Sequence, residues 1–180
     1  MAKFWVDVDA NLGPDIHTGR SHTGESHWYS GNLIHWETHK VDFVEVATGT
    51  TETIACYHGS QRGLSIQNMI GEHTSEVARQ PTPIILRSDS TVAKLSIERP
   101  TLSWKLRHLR CKYFAVRDWA RKKMIEIYTI PSKDNTADIF TKAVVFDILE
   151  RLRSRFMKFG QMSAARFSKF RKMSKDTSST

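Results

Sequence analysis

The sequence predicts an α/β protein: a mixed five-stranded sheet with helices on both faces, followed by a basic tail that is helical or disordered. Three observations carry that prediction. Three strand patterns open the chain in meander order. Two more, at Ile84-Ile85-Leu86 and at residues 125–130, alternate with helical patterns, the order from which mixed and parallel sheets are built. The net charge of +8 lies wholly after residue 150, where nine Lys/Arg face one acid, so residues 1–150 sum to zero. The chain therefore divides into one domain, residues 1–150, and a basic C-terminal extension, residues 151–180, helical at first and then disordered.

Phe4-Trp5-Val6-Asp7-Val8-Asp9 alternates as a strand, with Phe4, Val6 and Val8 on one face and Trp5, Asp7 and Asp9 on the other. Carboxylates are depleted in strands and costly to bury alone, so Asp7 marks either a solvated edge or a site. After a loop rich in Gly, Pro and His, residues 25–29 and 33–37 flank Ser30-Gly31-Asn32, a hairpin signature. Thr50 is placed to cap a helix on which Ala55, Cys56, Gly59, Gly63, Ile66 and Ile70 recur at helical spacing. Gly59 and Gly63 permit close approach to a sheet. Glu52 stands in the first turn, a position that also suits a surface acid complementing the helix dipole.

The Ile84-Ile85-Leu86 run emerges from Pro81-Thr82-Pro83 and reads as a buried strand. Asp89 at its carboxyl end either projects into the crevice where open α/β sheets bind ligands or caps the short helix that follows. Residues 103–123 carry a long helical pattern, with Trp104, Leu106, Leu109, Tyr113, Val116 and Ala120 as its apolar face. Pro131 ends the last strand, and a final helix is expected from Thr136, continuing through Phe146, Leu149 and Leu152.

If the first and fourth strands are parallel neighbours, Asp7 and Asp89 share the middle of the sheet, with Glu52 and Asp138 facing them. Four acids in one patch raise one another's pKa values, and divalent cations resolve the conflict. Hard oxygen donors suit Mg²⁺, and a pair of ions about 3.5–4 Å apart serves phosphodiester hydrolysis.

Six stretches together resemble a known family. They are Val6-Asp7-Val8-Asp9-Ala10, Ile34-His35-Trp36-Glu37, Thr51-Glu52-Thr53-Ile54-Ala55, Leu86-Arg87-Ser88-Asp89-Ser90, Leu106-Arg107-His108-Leu109 with residues 113–118, and Ala137-Asp138-Ile139-Phe140-Thr141-Lys142. In order and spacing they are similar to the ribonuclease H domain of copia-type LTR retrotransposon polyproteins. The resemblance implies a ribonuclease H-like fold and a metal-dependent endonuclease that cleaves the RNA strand of RNA–DNA hybrids. It makes Asp7, Glu52, Asp89 and Asp138 the catalytic, metal-holding acids, with two Mg²⁺ ions, or Mn²⁺, as cofactor. It also implies a reverse transcriptase region, supplied separately. A catalytically inactive remnant that still binds nucleic acid is the alternative.

Lys105, Arg107, His108, Arg110 and Lys112 load the long helix with positive charge. This is a solvated face or, beside a carboxylate metal site, a ridge for the phosphates of a hybrid. The tail, with Phe156, Phe159, Phe167 and Phe170, could form an amphipathic helix that binds nucleic acid or an anionic surface. Cys56 and Cys111 make no disulfide framework, no apolar run approaches a membrane span, and the N-terminus lacks signal-peptide architecture. An intracellular location, cytoplasmic or nuclear, is expected. The histidines His17, His22, His27, His35, His39 and His58 accompany no CxxC pair. His35 and His39 fall partly on a strand, where helical i, i+4 pairing has no meaning, so no structural zinc is expected.

Overall fold

The computed structural model describes residues 3–73, 82–98 and 110–156. The chain forms two compact units, Met1–Val145 and Phe146–Thr180. The first is built from β1 (Phe4–Asn11), β2 (His22–Tyr29), β3 (Asn32–Lys40), α1 (Thr48–His73), β4 (Ile84–Ser88), α2 (Thr91–Glu98), α3 (Arg110–Arg121) and β5 (Ile125–Thr129). Two 3₁₀ turns follow, Ser132–Asp134 and Thr136–Phe140. The second unit contains α4, Phe146–Phe156, with Asp147 in its first turn and Arg153 and Arg155 in its last, the distribution that the helix dipole favours.

The five strands form one sheet in the order β3-β2-β1-β4-β5. β1 is antiparallel to β2 and parallel to β4, and β5 is parallel to β4. This is the mixed sheet that the sequence predicts, with β1 and β4 side by side at its centre. The β2–β3 turn has Ser30 at φ 50 and Gly31 at φ 82, the two left-handed residues of a type I′ hairpin.

One core joins Val6, Val8, Ile84, Leu86 and Ile125 of the sheet to Ala55, Cys56 and Ile66 of α1, Ala93 and Ile97 of α2 and Val116 of α3. The helix α1 crosses β1 closely because two of its residues lack side chains. A Cβ on Gly59 would stand 2.4 Å from Val8 Cγ1, and one on Gly63 would stand 3.1 Å from Val6 Cγ2. Gly59→Ala should therefore destabilise the protein by about 1–2 kcal/mol, the overpacking outweighing the helix propensity gained. Gly71 on the same helix meets nothing within 4 Å, so Gly71→Ala should stabilise instead. Denaturant midpoints of the two variants should move in opposite directions.

The opposite face of β1 is met by the second 3₁₀ turn, whose Thr136 donates to Asp7. Asn135, fully buried, accepts from Ala137 N–H at 3.1 Å and donates to Val8 O at 2.9 Å. One side chain thus starts the second turn and pins it to the central strand. Where the sequence pattern suggests a continuous helix from Thr136, the chain makes a 3₁₀ turn that ends at Thr141, and α4 begins afresh at Phe146. Among the described residues, no helix is long and apolar enough to cross a membrane.

Candidate active site

The acids gather at the carboxyl ends of β1 and β4. Asp9, Asp89 and Asp138 each offer a carboxylate oxygen, and these oxygens lie within 4.8 Å of one another. They come from three separate elements: the end of β1, the residue after β4, and the second 3₁₀ turn. Asp9 accepts a hydrogen bond from Thr141 Oγ1, and Asp89 accepts one from Ser132 Oγ. Both hydroxyls belong to the segment that Asn135 anchors.

Asp9, only 3% exposed, is raised to about 6, by burial first and then by Asp138 and Asp89; the Thr141 bond and Lys142 oppose the rise. Glu52 near the start of α1 is raised to about 8, again by burial first and then by Asp9, Asp89 and Asp138. Glu52 therefore feels all three. Its Oε2 is buried without a hydrogen-bond partner. Lys142 donates to Asp138 Oδ1 at 2.9 Å. Burial works against its charge, but the bond to Asp138 and the fields of Asp9 and Asp89 outweigh that, and its pKa is raised.

The sequence assigns the first acid to Asp7, and the structure places that residue elsewhere. Asp7 pairs in register with Arg87 of β4, which grips it from two nitrogens, Nε to Oδ1 at 2.6 Å and Nη2 to Oδ2 at 2.8 Å. Thr136 donates to Asp7 Oδ2 from its hydroxyl. With no exposed surface and both oxygens engaged, Asp7 is a neutralised structural partner. Asp9 lies on the same face two residues further toward the strand end, and it meets Asp89 and Asp138. So Asp89 and Asp138 meet Asp9, Glu52 feels the charge of all three, and Asp7 lies outside the cluster, paired with Arg87. Sequence reasoning also missed Asn135, Thr141 and Lys142, which hold the acids in position.

Of the predicted basic ridge, Lys105, Arg107 and His108 lie outside the described residues, as does the side chain of Arg110. Lys112 is engaged, 3.3 Å from His58 Nε2 and 5.4 Å above the Tyr57 ring.

The donor set fits divalent cations. Three clustered carboxylates and an orphaned fourth are all hard oxygen donors, and the raised pKa values of Asp9 and Glu52 record an anionic site short of positive charge. Strand order, the crossover helix and the acids at the carboxyl ends of β1 and β4 define a ribonuclease H-like fold. The N-terminal RNase H domain of Rv2228c from Mycobacterium tuberculosis superposes with a TM-score of 0.52 at 13% identity, covering 86% of this chain and 98% of that one. LC11-RNase H1, isolated from compost, gives 0.55 at 19% identity over 78% of this chain and 94% of that one. The same protein solved in complex with an RNA/DNA hybrid gives 0.51 at 16% identity, with the same coverage.

In sequence, the chain is similar to the retrovirus-related Pol polyprotein of transposon Tnt 1-94 from Nicotiana tabacum, 22% identical over 137 residues. That stretch is 76% of this chain and spans 10% of the polyprotein. No protein-family model matches.

Proposed function

We propose that this protein is a metal-dependent endonuclease of retrotransposon origin, copia-type, that hydrolyses the RNA strand of RNA–DNA hybrids. The observation that carries this reading is the meeting of Asp9, Asp89 and Asp138, from three distant parts of the chain, with Glu52 coupled to them. Asp9, Glu52, Asp89 and Asp138 would hold two Mg²⁺ ions, or Mn²⁺ in their place. When bound, such a pair supplies activation of water and stabilisation of the leaving oxygen of a phosphodiester.

The remaining roles belong to the chain itself. Thr141 and Ser132 orient the carboxylates of Asp9 and Asp89. Lys142 holds Asp138 and carries a positive charge beside the acids, where it offsets part of their repulsion. The basic residues Lys105, Arg107, His108, Arg110 and Lys112 would contact phosphates, which positions a duplex without reading its sequence. Preference for a hybrid would come from the 2′-hydroxyls of the RNA strand and from groove shape. The hybrid is the partner, and a reverse transcriptase would generate it.

The test is cleavage of end-labelled RNA annealed to DNA, with and without Mg²⁺, beside Asp89→Asn as control. The expected result is metal-dependent nicking of the RNA strand alone, absent from the control. Nicking no greater than the control, with hybrid binding retained, would leave the inactive-remnant reading in its place.

A further inference from the structure

A second cluster of metal-ligating groups lies on β2 and β3, away from those acids. In β3 the residues alternate, with Leu33, His35, Glu37 and His39 half-buried and Ile34, Trp36 and Thr38 on the other side. A spacing of four is an even number on a strand, so His35, Glu37 and His39 share one face. The neighbouring β2 places Glu25 opposite Glu37 and His27 opposite His35. The helix α1 covers this face: a Cβ on Gly59 would stand 3.5 Å from Glu25 Oε2.

Two overlapping triplets result. Glu25, His27 and His35 bring one donor atom each to within 4.8 Å of one another, and so do Glu25, Glu37 and His39. An independent observation separates the first from an ordinary polar cluster. Glu25 is 1% exposed and His27 fully buried, and neither carboxylate oxygen and neither ring nitrogen has a hydrogen-bond partner. Glu25 Oε1 and His27 Nε2 touch only as an ion pair, and buried polar atoms left without hydrogen bonds are costly.

The spacing also fits. Glu25 Oε1 stands 3.3 Å from His27 Nε2, while His35 Nε2 shares a hydrogen bond of 3.3 Å with Glu37 Oε2. Bonds of about 2.0–2.1 Å at tetrahedral angles put neighbouring donor atoms about 3.3 Å apart, whereas a charge-assisted N–H···O bond closes to about 2.8 Å. In the second triplet the groups have other attachments: Arg62 Nη2 lies 2.9 Å from Glu37, and His39 packs against the His58 ring at 4.6 Å. The first triplet, with its buried and unbonded His27, is therefore the better site.

We propose that Glu25, His27 and His35 bind one Zn²⁺ ion, and that this ion ties β3 to β2. Imidazole and carboxylate together suit zinc, while the all-oxygen set of Asp9, Glu52, Asp89 and Asp138 suits magnesium. The two ions therefore sort by donor chemistry to separate sites. The proposal stands independently of the catalytic reading.

The experiment loads the full chain with ZnCl₂ in excess Mg²⁺, desalts it into Mg²⁺ buffer and measures retained zinc per chain. Affinity then follows by competition with a chromogenic chelator. One zinc per chain is expected. His35→Gln, at a half-exposed position, should weaken binding at least about tenfold, and Asp89→Asn should leave it unchanged. A second measurement needs no variant: zinc titration of the wild type should shift the imidazole ring signals of His27 and His35 and leave those of His17 and His22 in place. Failure to retain zinc in Mg²⁺ overturns the proposal. So does loss of zinc in Asp89→Asn with retention in His35→Gln, or ring signals of His27 and His35 that do not move.

Discussion

Asp9→Asn is expected to abolish hybrid cleavage while leaving the fold intact, and Asp7→Asn is expected to do the reverse. The two carboxylates share one strand face, yet their surroundings differ in kind. Asp9 meets Asp89 and Asp138 and is raised to about 6 by burial and by their charge, so an amide there removes a repelled anion. Its loss should cost little stability, or raise it, while the proposed metal site loses one of its four acids. Since metal-ion catalysis is worth several kcal/mol, the rate should fall by about two orders of magnitude or more.

Asp7→Asn instead leaves Arg87 gripping a neutral amide inside the sheet. Breaking a buried ion pair costs about 3–5 kcal/mol, and the partial exposure of Arg87, 29%, puts the expected value near the lower bound. For a chain of this size that is a fall in melting temperature of roughly 6–12 °C. Below its new melting temperature the variant should still cleave. Thermal melts and single-turnover rates on both variants decide the matter: an inactive but fully stable Asp7→Asn beside an active Asp9→Asn would return the first acid to Asp7.

That pair of residues also shows what a sequence can and cannot give. Alternation in Phe4-Trp5-Val6-Asp7-Val8-Asp9 correctly assigns Asp7 and Asp9 to one face, because strand parity is local. Depth along the strand is not local. It depends on the register with β4, which sets Asp7 opposite Arg87 and leaves Asp9 at the carboxyl end. The sheet itself was legible, since the βββ-α-β-α-α-β order and the closely packed glycine pair on α1 follow from pattern and residue size. The nearness of Asp138 to Asp89 was legible, but the 3₁₀ turn that carries Asp138 was not. The helical pattern from Thr136 gives no sign that Asn135 and Thr141 spend their side chains on β1. The histidines are the instructive case. Read at helical spacing, His35 and His39 mean nothing; read at period two with Glu37 between them, and with Glu25 and His27 across the ladder, they form a donor row.

Glu52→Gln tests the electrostatics of the acidic site without measuring a reaction. Glu52 is raised to about 8 and Asp9 to about 6, both chiefly by burial and then by the neighbouring acids. A carboxylate held above its ordinary value keeps, in the folded state, a proton that the unfolded chain has already released. Between about pH 4 and pH 8 the folded state therefore binds more protons, and the metal-free stability falls as pH rises through that window. This is the opposite of the behaviour of a salt-bridged acid. The deficit is complete above about pH 8, and for Glu52 it amounts to a few kcal/mol.

Glutamine cannot ionise, so metal-free Glu52→Gln should melt several degrees higher than the wild type at pH 8.5 and nearly equal to it at pH 4. Divalent cations act on the same charges from the other side. They bind the deprotonated acids, so the stabilisation by Mg²⁺ in the wild type should grow from pH 5 to pH 8.5, with protons released on binding. In Glu52→Gln both the slope of stability against pH and the Mg²⁺ shift should be reduced. A variant that melts below the wild type at pH 8.5 without metal would mean that Glu52 is stabilised as an anion, and that the four acids do not share one field.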